Sequence, residues 1–117
     1  MTQHYIGTKQ VLAWPQDKEG VPGYAVKYSD GYISWSPKDV FEAAYVSMGH
    51  VGHLPPHQQR VIGECEQLAD RIKKLEAFLS TPVFAGLPDD ERQLLKMQAD
   101  AMVLYLGIIN TRVEQFA

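Results

Sequence analysis

The chain has 117 residues, 45% of them hydrophobic and 21% charged, with a formal net charge of -3. That balance is ordinary for a soluble globular domain, and it argues against general binding to polymeric nucleic acid, which needs a basic surface to displace counterions. The longest apolar stretch, Met102 to Ile109, is too short to span a bilayer, and a single cysteine, Cys65, excludes an internal disulfide.

The first half reads as β followed by a short helix. His4 to Trp14 and Pro22 to Tyr28 carry aromatic and β-branched residues on either side of the polar turn Gln16 to Gly20. Asp30-Gly31 is a tight-turn signal leading to a third strand, Tyr32 to Trp35. An antiparallel meander is the expected arrangement. Ser36-Pro37-Lys38-Asp39 then opens a helix, with Ser36 as the cap and Pro37 at the first helical position, running to about Met48. Gly49 supplies its stop.

Residues 50–56, rich in Gly, Pro and His, read as a linker between a 1–49 segment and a helical 57–117 segment that together make one compact unit. His57 to Leu79 forms the first long helix. Pro82 to Ala85 allows one short turn, and Pro88 restarts a helix that opens on Asp89, Asp90 and Glu91 and runs nearly to Phe116. The expected fold class is α+β: a small N-terminal antiparallel β-sheet with a short helix, then a long antiparallel α-helical hairpin.

The hairpin carries the strongest functional hint. Val61, Cys65, Leu68, Ile72, Leu75 and Leu79 recur at three- and four-residue spacing, the rhythm of a helix seam. Leu95, Gln98, Met102, Tyr105, Ile109, Arg112 and Phe116 follow the same rhythm, with Arg112 as the one charge among them. Antiparallel pairing brings Arg60 toward Arg112 next to a helix N-terminus. Two converging guanidiniums repel unless an anion or a carboxylate such as Glu114 joins them. Their forked donors match phosphate oxygens. The bland alternative pairs Arg60 with Glu64 on its own helix and Arg112 with Glu114.

Other constellations are weaker. There is no nucleophile elbow, phosphate-cradling Gly loop or metalloprotease motif, so no catalytic set, cofactor or metal is expected. His50, His53 and His57 lack a supporting cysteine and are read as a solvated linker. Trp14 ends a strand beside a polar turn and is a candidate for stacking on a flat ligand. Phe84, in the hairpin tip, is similar, its alternative being a plug for the hairpin end. Apolar residues off the seam, such as Leu94, Met97, Leu104 and Ile108, make a stripe wider than one partner helix covers, so a homo-oligomer is expected. No basic N-terminal region precedes an apolar run, so a cytoplasmic location is expected.

Two sets of residues carry a resemblance. Tyr5-Ile6-Gly7-Thr8-Lys9, Pro22-Gly23-Tyr24 and the run from Asp30 through Tyr45 resemble a segment common in small phage proteins. Pro56-His57-Gln58-Gln59-Arg60-Val61, with Leu75, Phe78, Thr81-Pro82, Phe84 and the closing Arg112-Val113-Glu114-Gln115-Phe116, resemble the helical hairpin of phage anti-defence sponges. Together the halves look like the Thoeris anti-defence proteins with an N-terminal sheet and a C-terminal hairpin, and the hairpin alone is similar to anti-CBASS sponges.

The resemblance implies a non-enzymatic protein that binds a cyclic nucleotide second messenger in the host cytoplasm during phage infection. The ligand it implies first is a cyclic ADP-ribose isomer. Cyclic di- or trinucleotides of CBASS are the alternative, alone or in addition. It also implies assembly as a dimer or hexamer. Phosphate-gripping arginines carry over to Arg60 and Arg112, stacking aromatics to Trp14 and Phe84, and a hydrogen-bonding role to Thr81. Many hairpin relatives carry a large polar or aromatic residue where this chain has Cys65, a departure that bears on a cyclic-dinucleotide pocket. A reading of a different class is a protein-binding adaptor that takes no nucleotide.

Overall fold

A computed structural model describes residues 1–116. It has the expected α+β architecture, in two compact units, Met1–Tyr45 and the chain from Val46 onward.

The first unit is a three-stranded antiparallel sheet in the order β1 (Leu12–Pro15), β2 (Gly23–Lys27), β3 (Ile33–Pro37), followed by helix α1 (Lys38–Ala44). Leu12 pairs with Lys27, and Lys27 with Ile33, in the last row of the sheet. Beyond it β2 bends into the Asp30-Gly31 turn, where Gly31 has φ +91° and the Asp30 carboxylate accepts the Tyr32 N–H at 2.9 Å. The strand expected from His4 therefore begins only at Leu12: residues 4–11 run past the end of the sheet, where no strand is left to pair with them.

At the other end Lys18 and Val21 exchange backbone hydrogen bonds at 2.9 Å across Glu19 and Gly20, both at positive φ. This is the handedness that suits a tight hairpin. Gly23 is required by packing: a Cβ there would meet the Trp35 ring at 2.3 Å.

Ser36 does not cap the helix. It is drawn into β3 opposite Tyr24, and Pro37 takes the cap position without a side-chain bond. The helix also stops at Ala44, short of Met48, and Tyr45 turns extended with its ring stacked on Phe41 at 4.9 Å. Phe41 in turn stacks on Tyr24 at 4.4 Å, so α1 covers one face of β2 and β3. Ala25 and Val26, adjacent on β2 and pointing to opposite faces, are both buried.

The second unit is the hairpin of α2 (Pro56–Phe78) and α4 (Asp89–Glu114), joined by the single turn α3 (Pro82–Ala85). Proline stands at the start of each helix, where its missing N–H costs nothing. Cys65, Leu68, Ile72 and Ile109 form the buried core, Ile109 with 0% exposure, and Val61, Met102, Leu106 and Val113 pack against them. On α2 this is the expected seam. On α4 it is a neighbouring one: Ala99, Leu106 and Val113 face α2, while Gln98, Tyr105 and Arg112 are exposed beside the seam. Arg112 therefore does not interrupt the core; Val113 occupies the apolar position. None of the helices is long and apolar enough to cross a membrane, among the described residues.

Candidate functional site

Two cross-helix hydrogen bonds set the register at the open end of the hairpin. The Cys65 thiol donates to the Asn110 side-chain oxygen at 3.0 Å, and the Tyr105 hydroxyl donates to the Glu64 carboxylate. Residues 64 and 65 on α2 thus stand level with 105 to 110 on α4, and one turn further out Arg60 comes level with Arg112. Arg60 and Glu64 are four apart on α2, and Tyr105 and Arg112 seven apart on α4, so each pair shares a helix face.

The electrostatics of this end are specific. Tyr105 is raised above its ordinary value of 10.0, first by its bond to Glu64 and then by desolvation, while the Arg112 cation acts in the opposite sense. Cys65 is also raised, by burial first and then by Glu66 and Glu64, so its thiol stays protonated and serves as a donor inside the hairpin. Ion pairs join Lys74 to Asp70 and Arg92 to Asp89, but neither Arg60 nor Arg112 pairs with a carboxylate among the described residues. The pairings of Arg60 with Glu64 and of Arg112 with Glu114 are absent. The first turn of α2 carries no acidic residue that would compete with an incoming anion. Glu64 and Tyr105 are the members of this cluster that sequence reasoning missed. The signal was present in the four- and seven-residue spacings to the two arginines.

The tip is built differently. Thr81 Oγ1 donates to the Phe78 carbonyl at 2.6 Å and accepts the Phe84 N–H at 3.3 Å, which fixes the α3 turn. Phe84 is 7% exposed and meets Phe78 edge-to-face at 6.1 Å, with the Lys96 ammonium 5.9 Å from its ring centre. Its ring is occupied as a plug for the hairpin end. From Arg60 to Phe78 the helix rises about 27 Å at 1.5 Å per residue. Within one chain, then, the arginines and the Thr81–Phe84 turn lie at opposite ends of the hairpin.

Trp14 belongs to the sheet unit and is 41% exposed, its indole N–H donating to the Gln16 side chain at 3.3 Å. Trp35 is more firmly held, with its N–H on the Gln16 carbonyl at 2.7 Å and Lys18 over its ring. The same unit has an open depression of about 510 Å³ between Val11, Leu12 and the Lys27–Gly31 turn. Trp14 does not line it. No group of three or more His, Cys, Asp or Glu side chains is arranged to hold a metal ion among the described residues.

The model of the Sequestin family matches residues 55–115, which is just over half the chain and takes in the whole hairpin. The chain belongs to the Sequestin family. Its open end, where neither Arg60 nor Arg112 pairs with a carboxylate among the described residues, lies within the matched segment, and the family's name speaks of sequestering a ligand. No curated protein and no solved structure matches the chain. Within this Sequestin the match covers Arg60, Thr81, Phe84 and Arg112, whereas Trp14 lies outside it.

Proposed function

We propose that this Sequestin takes up a cyclic nucleotide immune signal and holds it unchanged, with a cyclic ADP-ribose isomer of Thoeris immunity as its first ligand and a phage anti-defence role. One observation carries the reading: Arg60 and Arg112 stand at one end of the hairpin without carboxylate partners among the described residues. A pyrophosphate supplies the charges such a pair lacks, and each guanidinium offers a planar fork to its oxygens. The Tyr105 hydroxyl, kept neutral at physiological pH, holds Glu64 in a hydrogen bond beside the arginines. Sequestration needs tight binding and slow release, not stabilisation of a transition state. We therefore assign no acid, base or nucleophile.

A second ligand class has its own support. The family match falls on the hairpin and leaves out the sheet, and the hairpin is the part that resembles sponges for cyclic di- and trinucleotides. The deciding experiment is native mass spectrometry of the protein with a mixed panel of cyclic ADP-ribose isomers and cyclic di- and trinucleotides. The ligand is then released by heat and its mass compared with the input. Retention of one class, released intact, is the expected result. Retention of none, with a stoichiometric protein captured from infected cells, replaces the reading with a protein-binding adaptor. A hydrolysed product refutes sequestration.

A further inference from the structure

Glu64 follows Arg60 by four residues on α2, the interval at which a carboxylate and a guanidinium pair across one helical turn. No such pair forms among the described residues; the Glu64 carboxylate accepts the Tyr105 hydroxyl from α4 instead. That contact uses Oε2 and leaves Oε1 without a protein donor among the described residues. Tyrosine is a stiff partner that orders at low entropy cost, so the carboxylate is held across to α4 and not folded back on Arg60. The open end thus presents two unpaired guanidiniums and, one turn inward, a fixed carboxylate with an acceptor to spare. Arg60, Glu64 and Arg112 are all exposed.

These groups call for different partners. The guanidiniums take phosphate oxygens, whereas an ionised carboxylate has acceptors only and repels them. What it accepts is a hydroxyl. A ribose phosphate carries both features, and Glu64 lies about 6 Å along the axis from Arg60 at 1.5 Å per residue, the reach of a ribose from its own phosphate. We propose, resting on the two-arginine reading of this end, that Glu64 is the sugar-reading group of the site. Its spare oxygen accepts a ribose hydroxyl of the ligand whose phosphates Arg60 and Arg112 hold, and Tyr105 is its positioning residue. Two arginines alone take any phosphate, and a binder surrounded by inorganic phosphate would stay occupied by it. Glu64 disfavours that competitor. Bare phosphate or pyrophosphate meets the carboxylate's repulsion with no hydroxyl to offset it, while a ribose phosphate gains a charge-assisted hydrogen bond. Tyr105 has a second effect: without its hydroxyl, Glu64 is free to turn back on Arg60 and occupy the guanidinium itself.

The test uses the full chain in calorimetry. The probes are the panel's cyclic ADP-ribose isomers and cyclic dinucleotides, their deoxy counterparts stripped of free ribose hydroxyls, and inorganic pyrophosphate. The parent is expected to bind the retained ribose form at least tenfold more tightly than its deoxy counterpart. Glu64→Ala should lose at least tenfold toward the ribose form, lose little toward the deoxy form, and gain toward pyrophosphate. These opposite signs separate sugar reading from a structural role, which would weaken every probe alike. Tyr105→Phe should weaken binding of the ribose form in the parent but add nothing on top of Glu64→Ala, because it acts through Glu64. Equal affinity of the parent for ribose and deoxy forms, or a Glu64→Ala protein that loses pyrophosphate together with the ribose form, overturns the proposal and leaves the clamp standing. A parent that binds none of these probes overturns both.

Discussion

Replacing Ile109 by alanine separates the two seams that the α4 sequence offers, when set beside the same change at Arg112. Ile109 is fully buried among Cys65, Leu68 and Ile72, whereas Arg112 is exposed beside that core. Ile109→Ala removes apolar atoms from a site that two rigid helices keep from collapsing, at a cost of about 3 kcal/mol, within the usual range for such truncations. For a domain of this size each kcal/mol moves the melting temperature by about 4–8 °C, so the hairpin should melt at least ~12 °C lower. Arg112→Ala loses an exposed side chain with no ion pair among the described residues and should stay within about 0.5 kcal/mol of the parent. Thermal unfolding followed by circular dichroism at 222 nm reads both, because the helical signal comes mostly from α2 and α4. If Arg112→Ala proved the more destabilising, Arg112 would belong to the core after all and the seam described above would be wrong.

The other expectations follow from single interactions. Arg112→Ala and Arg60→Ala should each weaken binding of the retained cyclic nucleotide at least tenfold in calorimetry, and retention of parental affinity by both would discard the clamp. Glu19 holds a positive φ of 52° in the β1–β2 turn, a conformation that asparagine tolerates better, so Glu19→Asn should add up to about 1 kcal/mol of stability in urea unfolding. A loss of stability there would count against the turn. Cys65 is buried, bonded to Asn110 and raised above its ordinary value, so it should react with a disulfide reagent at pH 8 far more slowly than the unfolded chain does. Tyr105 is raised as well, so the folded state holds its proton more firmly than the unfolded state. The bond to Glu64 therefore contributes in full below about pH 10 and is lost as pH rises through the folded value. Tyr105→Phe should remove that alkaline loss from the pH–stability profile, and an unchanged profile would show that the bond contributes nothing.

What the sequence revealed depended on how local the cause was. Pro56, Pro82 and Pro88 punctuate the hairpin so firmly that its helices begin within one residue of the expected places. Asp30-Gly31 fixed the second β-turn for the same reason. The errors arose where a distant partner decides. Residues 4–11 have strand-forming composition, but β2 ends opposite Leu12 and nothing extends the ladder. Ser36 is a good helix cap that pairing with Tyr24 claimed for the sheet. On α4 two tracks share Leu95, Met102, Ile109 and Phe116 and differ only in taking Gln98, Tyr105 and Arg112 or Ala99, Leu106 and Val113 between them. Helical spacing accepts both, and the facing helix chooses the one without a charge. The candidate site suffered the same ambiguity: the arginines were legible as residues, but their place beside the seam, with Glu64 and Tyr105, required the packing.

The separation of the candidate residues constrains how any shared site is built. Arg60 and Arg112 lie at the open end, and Thr81 and Phe84 lie about 27 Å away at the tip, so one ligand cannot touch both groups within a single hairpin. A site that uses both groups must take its arginines from one copy of the chain and its tip from another. In a two-fold pair of copies such a site occurs twice. Mixed dimers test this directly. Arg112→Ala in one copy and Thr81→Ala in the other cripple one composite site twice and leave the second intact. If both single variants fail to bind the cyclic nucleotide alone, each mixed dimer should hold one ligand in native mass spectrometry, and a statistical mixture should regain about a quarter of the parental stoichiometry. A mixture as inactive as either parent would mean that each arginine pair and each tip serve separate sites.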